Sequence, residues 1–220
     1  VSDLTNGAYT FSLEEQTLVL LPEKAILWKE KSILLLADVH LGKANHFRKS
    51  GIAVPQAVAT TDYHILDRII NQYDILEVVF LGDLFHSVAN HACDEFSKWI
   101  LKYPHIRFTL VKGNHDILPN SFYDTAAISL YIQSLINPPF IFSHTPLTEQ
   151  SQYYTLCGHI HPAVTLYGKG KQVVTLPCFY FGKSTGILPA FGSFTGKAII
   201  NPEQESRVFA IAGTLVTRIN

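Results

Sequence analysis

The chain is poor in cysteine: three among 220 residues, Cys93, Cys157 and Cys178, an odd number with no C-x-x-C spacing. That argues against a disulfide framework and fits reduced thiols in a cytosol-like compartment, so a cytoplasmic location is expected. Charge is scarce as well. Only 16% of residues are charged, the net charge is −1 and the pI is near 6.8. This argues against non-specific, charge-driven binding to nucleic acid, while leaving room for a locally basic groove. No apolar run approaches the roughly 18 residues of a membrane span. The opening stretch VSDLTNGAYTFSLEEQTLVLL has no basic start, and acids interrupt its apolar residues, so no secretory signal is read there and no membrane partner is expected. Repeats, low-complexity tracts and linkers are also absent from the sequence.

What is present is core material. With 47% hydrophobic residues the chain can bury a sizeable core and shows no sign of disorder, and its length suits one domain over residues 1–220. Short strands with tight turns are read in AYTF, TLVLLP, AILW and SILLLA. Residues 56–73 carry apolar residues at helical spacing, Ala57, Ile65, Leu66, Ile69 and Ile70, and residues 92–103 read as a second helix. Buried-strand runs follow at 75–81, 106–111, 140–143 and 153–157, and short strands alternate with glycine turns from 163 onward.

Five of the apolar runs end in clusters of Asp, Asn and His: DVH at 38–40, GDLFH at 82–86, GNHD at 113–116, HTP at 144–146 and GHIHP at 158–162. The first three runs alternate with helices, so they are expected to lie parallel in one sheet. Ligands bind at the C-terminal edge of such strands, which is where the clusters would meet. The set offers carboxylates, imidazoles and one amide oxygen. Mixed N/O donors suit Mn²⁺, Fe or Zn²⁺ better than Ca²⁺. Eight such residues are too many for one ion and about right for two that share a carboxylate, an arrangement suited to phosphoryl chemistry. His159 and His161 stand two apart. In a strand they would face one way; on a turn they could serve two ions, with Gly158 allowing the chain to turn and Pro162 limiting its exit.

In order and spacing, D-x-H, G-D, G-N-H-D, a lone His and G-H-x-H over roughly residues 32–165 resemble the calcineurin-like metallophosphoesterases. The stretches LLPEKAILW, ADVHLGKANHFRKSGIAVP and LPCFYFG…LPAFGSFTG are further similar to the bacterial ligase-associated, DNA-damage-response (PdeM-like) group of that family. The resemblance implies an α/β fold, a two-sheet β-sandwich flanked by helices (the αββα sandwich). It implies that Asp38, His40 and His161 hold a first metal, that Asn114, His144 and His159 hold a second, and that Asp83 bridges both. His115 would stabilise the transition state or protonate the leaving oxygen, and Asp116 would be a supporting or turn residue. The implied activity is a dinuclear-metal phosphoesterase, with Mn²⁺ the expected ion. The GDLFHS tail differs from the G-D-x-V-D-R-G of protein phosphatases and leans the reading to a phosphodiesterase or nuclease linked to DNA repair, with a DNA ligase or helicase as partner. A small-molecule or nucleotide phosphatase or pyrophosphatase is the alternative, and a non-catalytic scaffold a third reading, for which no ligand position is damaged.

Lys43, Arg48 and His86 are candidates for substrate phosphate, Arg48 by its fork of donors, against solvated loop residues as the plain alternative. The C-terminal aromatics Phe179, Tyr180, Phe181, Phe191 and Phe194 are expected to fill the core of a second sheet rather than to stack on bases. Cys157 and Cys178 read as small buried hydrophobes. His46, His64, His91 and His105 carry no functional expectation.

Overall fold

The computed structural model describes residues 7–43, 57–86, 91–149, 151–193 and 195–220. Seven strands lie side by side in chain order in a first sheet: β1 (Tyr9–Leu13), β2 (Gln16–Leu21), β3 (Ala25–Trp28), β4 (Ile33–Leu36), β5 (Glu77–Leu81), β6 (Arg107–Val111) and β7 (Ile128–Tyr131). Tight turns make β1 through β4 antiparallel, whereas β4 through β7 are parallel. Parallel neighbours need crossovers. These carry α1 (Ala57–Gln72), α2 (His91–Ile100) and the short α3 (Asn120–Thr125).

The central strands are buried on both faces, which is why they read as unbroken apolar runs rather than alternating ones. Leu34, Leu36, Val78, Phe80, Phe108 and Leu110 face the helices, packing with Leu66, Ile69, Phe96 and Trp99. Their alternates, Ile33, Leu35, Val79, Leu81 and Val111, face the second sheet. That sheet contains β8 (Ser134–Asn137), β9 (Phe140–Ser143), β10 (Tyr154–Cys157), β11 (Pro162–Tyr167), β12 (Val173–Phe181), β13 (Thr185–Ile187), β14 (Ala198–Ile199), β15 (Arg207–Ala212) and β16 (Leu215–Arg218). Its order is β14-β11-β12-β13-β10-β9-β8, with β15 on β12 and β16 on β15. β9 and β10 run parallel. Trp28 stands edge-on to Phe140 at 4.9 Å, and Phe142, Leu156, Phe179, Phe181 and Phe209 complete the layer between the sheets. A smaller cluster, Val164, Cys178, Val208 and Ala210, lies on the far face of the second sheet.

The sandwich of two sheets and the parallel β4–β5–β6 set follow the sequence reading, with three differences. The second helix stops at Ile100 rather than running to Tyr103. Pro104 disfavours the helical conformation at Tyr103, and Tyr103 instead packs on Trp99 and donates its hydroxyl to Asp67 Oδ1 at 2.7 Å. The segment after residue 116 forms α3, β7 and β8, elements too short for a periodic signal. Phe179 and Phe181 do fill the core between the sheets, but Phe191 packs on the helix side of the first sheet, because its loop crosses the strand ends. Phe194 lies outside the described residues. All three cysteines are buried and unpaired by disulfides.

The layer between the sheets should dominate stability. Phe142→Ala, at a fully buried ring, is expected to cost about 3–5 kcal/mol by urea unfolding. Ile136→Ala, at a side chain 57% exposed, is expected to stay within about 0.5 kcal/mol of the parent.

Candidate metal centre

Each polar cluster sits just past the C-terminal end of a strand: Asp38 and His40 after β4, Asp83 after β5, Asn114 and His115 after β6, His144 after β9, His159 and His161 after β10. Three clusters thus come from the first sheet and two from the second. The sandwich brings both sets to one edge.

The loops are tied before any ligand is considered. Asp38 N–H donates to Gly82 O at 3.2 Å, His40 N–H to Asp83 O at 2.9 Å and Leu41 N–H to Leu84 O at 2.8 Å, zipping the first two loops together. The buried Asp116 carboxylate accepts from the N–H groups of Asp83, Leu84, Phe85 and Gly113 at 2.8–3.3 Å, fastening the third loop to the second. Burial pushes its pKa up to about 6 against the pull of these donors. From the second sheet, His159 N–H donates to Asp38 Oδ2 at 2.8 Å. Gly158 lies so close to the first loop that a Cβ there would stand 2.5 Å from Asp38 Oδ2. The glycine is needed for this approach and not, as the sequence suggested, for the turn. The turn falls on non-glycine residues. Asp38, His40, Asp83, His159 and His161 all have φ between 52° and 68°, at a cost of roughly 1–2 kcal/mol each, least for Asp and His, which visit this region more than most residues.

Two groups of side chains result. Asp38, His40 and His161 converge, with His161 Nε2 at 3.3 Å from Asp38 Oδ1; Asp83, His144 and His159 converge beside them. Asp83 reaches both, its Oδ2 at 3.8 Å from His40 Nε2 and its Oδ1 at 3.6 Å from His144 Nε2, while Oδ1 also accepts the His115 N–H at 2.8 Å. His159 and His161, two residues apart on a turn, therefore join different groups.

The atoms in these groups are those a cation requires. The Leu81 carbonyl, 3.0 Å from His144 Nδ1, can only accept, so His144 carries its proton on Nδ1 and turns a lone pair on Nε2 outward. Facing that lone pair are Asn114 Oδ1 at 2.9 Å, His159 Nδ1 at 3.0 Å and the Asp83 carboxylate. Two imidazole nitrogens, an amide oxygen and a carboxylate converge at this range around a shared proton or cation. In the first group, Asp38 Oδ1 is buried with no hydrogen-bond partner among the described residues, a costly state for a carboxylate oxygen. Burial, helped by the Lys43 charge, holds His40 down to about 3, so it is neutral and able to coordinate. The donor set fits two divalent ions sharing Asp83.

His115 is exposed above the groups, its ring 5.4 Å from His40 and stacked at 5.9 Å on His86. Lys43 lies close enough for the Asp83 and Asp38 charges to raise its pKa, though burial lowers it more. Arg48 and His46 lie outside the described residues. His64 and His105 are exposed away from this edge. A cleft of about 820 Å³ opens beside Asn114, His144 and His159, lined also by Lys112, Gln133 and Thr145; these three were not picked out from the sequence, where nothing marks them. Also unmarked was the backbone brace on the first loop: Phe191 N–H donates to Ala37 O at 2.8 Å and Gly192 N–H to Asp38 O at 3.2 Å.

A family model, calcineurin-like phosphoesterase, matches residues 31–183. The crystal structure of Pseudomonas putida nuclease MPE aligns with a TM-score of 0.78 and 27% sequence identity, covering 96% of this chain and 100% of that one. No curated protein sequence matches.

Asp116→Ala should leave four backbone N–H groups without their acceptor. The expected loss is at least about 3 kcal/mol in chemical denaturation of the metal-free protein; Asp116→Asn, which keeps one acceptor oxygen, should lose less.

Proposed function

The chain belongs to the calcineurin-like phosphoesterase family, a metal-dependent phosphoester hydrolase, and from that premise we propose that it is a phosphodiesterase of the nuclease kind that acts on DNA. The observation that carries this reading is the pair of adjoining groups of lone-pair donors that share Asp83. Asp38, His40 and His161 would hold one ion, Asn114, His144 and His159 the other, and Asp83 would serve both. Mn²⁺ is the proposed ion for these N/O donors. When bound, the ions supply Lewis-acid polarisation of the phosphoryl group and a water acidic enough to attack phosphorus near neutral pH.

The chain's own residues do the rest. Asp116 and the His115 amide fix Asp83, so the shared carboxylate is set before substrate arrives. The His115 ring stands over the centre, where it protonates the leaving oxygen. Lys43 and His86 contact phosphate oxygens from the same side, and Arg48, on the sequence reading, does likewise. The diester assignment draws support from the nuclease neighbour and from the open cleft on the Asn114 side, which leaves room for a second ester arm. The link to DNA repair, and to a ligase or helicase partner, rests on the PdeM-like flanking motifs. One domain made of both sheets carries the activity, in the cytoplasm. No helix among the described residues is long and apolar enough to cross a membrane.

Metal-stripped protein given Mn²⁺ is expected to hydrolyse bis-p-nitrophenyl phosphate in preference to p-nitrophenyl phosphate. His159→Ala should lower kcat by at least about 100-fold. Asp83→Ala should bind less than one Mn²⁺ per chain by equilibrium dialysis where the parent binds two. Preference for the monoester would turn the reading to a phosphatase, and full activity in either variant would sink the site assignment.

A further inference from the structure

Charge is unevenly distributed along the chain. Residues 151–202 contain no aspartate or glutamate and four lysines, Lys169, Lys171, Lys183 and Lys197, which leaves 13 of the 17 basic residues to face all 18 acids elsewhere. Three of the four lysines fall on one projection. β11 begins at Pro162, immediately after His161, and runs six residues to Tyr167, roughly 20 Å at about 3.3 Å per residue. β12 returns antiparallel from Val173, so Lys169 and Lys171 stand exposed at the tip. β14 lies along the base of β11, where Ala198 N–H donates to His161 O at 3.0 Å, and this sets Lys197 beside His161. The Lys197 ammonium donates to Thr175 O at 3.3 Å, on β12.

The same projection exposes apolar side chains on one face. Tyr167 is 80% exposed, Val173 59% and Ile199 63%. The register pairs Tyr167 with Val173, Thr165 with Thr175, Ala163 with Pro177 and, on the other side, Ala163 with Ile199. Directly paired residues and residues two apart share a face. That face continues along β12 to Phe179 and Phe181, which are buried between the sheets. The exposed residues are thus the outward continuation of the inner face of the second sheet. Lysines alone could serve to blunt a sheet edge. They do not account for an exposed tyrosine on the face, or for a carboxylate-free stretch that runs through His159 and His161 of the candidate metal centre.

We propose that this hairpin, with β14, is the docking surface for single-stranded nucleic acid. Its phosphates meet Lys169, Lys171 and Lys197, an unpaired base stacks on Tyr167, and the strand is led to the His161 side of the metal centre. The charge complementarity selects a polyanion. The exposed aromatic selects an unpaired strand, since base–aromatic stacking needs a free base face. This inference rests on the nuclease reading and adds the surface that reading lacks.

The test uses the full chain with Mn²⁺, a 12-residue oligothymidylate and bis-p-nitrophenyl phosphate. The variant K169A/K171A/K197A is expected to raise KM for the oligonucleotide at least about tenfold at 0.1 M salt, with kcat and small-diester turnover unchanged. Its salt dependence should flatten by about 2 on log–log axes, from three phosphate contacts at ~0.7 each on a single strand. Tyr167→Ala should raise KM about tenfold and Tyr167→Phe should restore it. Parent-like KM and salt slope in the triple variant, or an equal effect on duplex DNA, would overturn the proposal. A parent enzyme that cleaves the small diester but not the oligonucleotide would remove the nuclease reading itself, a result distinguishable from the first.

Discussion

The hydrogen bond from the His159 amide to Asp38 Oδ2, 2.8 Å long, joins the loop after β10 in the second sheet to the loop after β4 in the first. The centre depends on this seam. Neither sheet alone owns a complete group: Asp38 and His40 need His161, and Asp83 and Asn114 need His144 and His159. Face-to-face packing of two sheets leaves their strand ends about 10 Å apart, so side chains rooted on both can meet between them. A Cβ on Gly158 would push this seam open.

The arrangement is expensive in the polypeptide itself. Five residues of the centre sit at positive φ, a carboxylate oxygen is buried without a hydrogen bond among the described residues, and imidazole and amide groups crowd together at about 3 Å. Strain of this kind persists only where the surroundings over-determine it. Here the surroundings are the zipped loops, the four-donor grip of Asp116 and the Phe191–Gly192 backbone brace. The packed layers beneath, Trp28 with Phe140 and Phe142 between the sheets and Phe96 with Trp99 on the sheet-facing side of α2, hold these loops in place. Ions binding there would draw the crowded donors together and satisfy the buried oxygen.

Outside the centre, the two sides of the site differ. His86, His115 and Lys43 gather on the first group's side, and an open cleft bordered by Lys112, Gln133 and Thr145 adjoins the second group.

The strands and helices were legible in the sequence wherever periodicity was long: α1 with Leu66, Ile69 and Ile70 turned inward, and the all-apolar runs of β4, β5 and β6, whose uniformity comes from burial on both faces. The donor chemistry was legible too, because Asp, Asn and His at strand ends have few other uses in such number. What the sequence could not show on geometric grounds was which donors converge in one group, since His159 and His161 diverge in a turn where each takes a positive φ. Nor could it show that Phe191 leaves the second sheet for the first, or that Asp116 binds four amides. Composition and local spacing determine which elements form and which atoms are on offer. The partners of each atom lie far away in the chain, 121 positions for His159 and Asp38, and only the packing of one sheet on the other decides those distances.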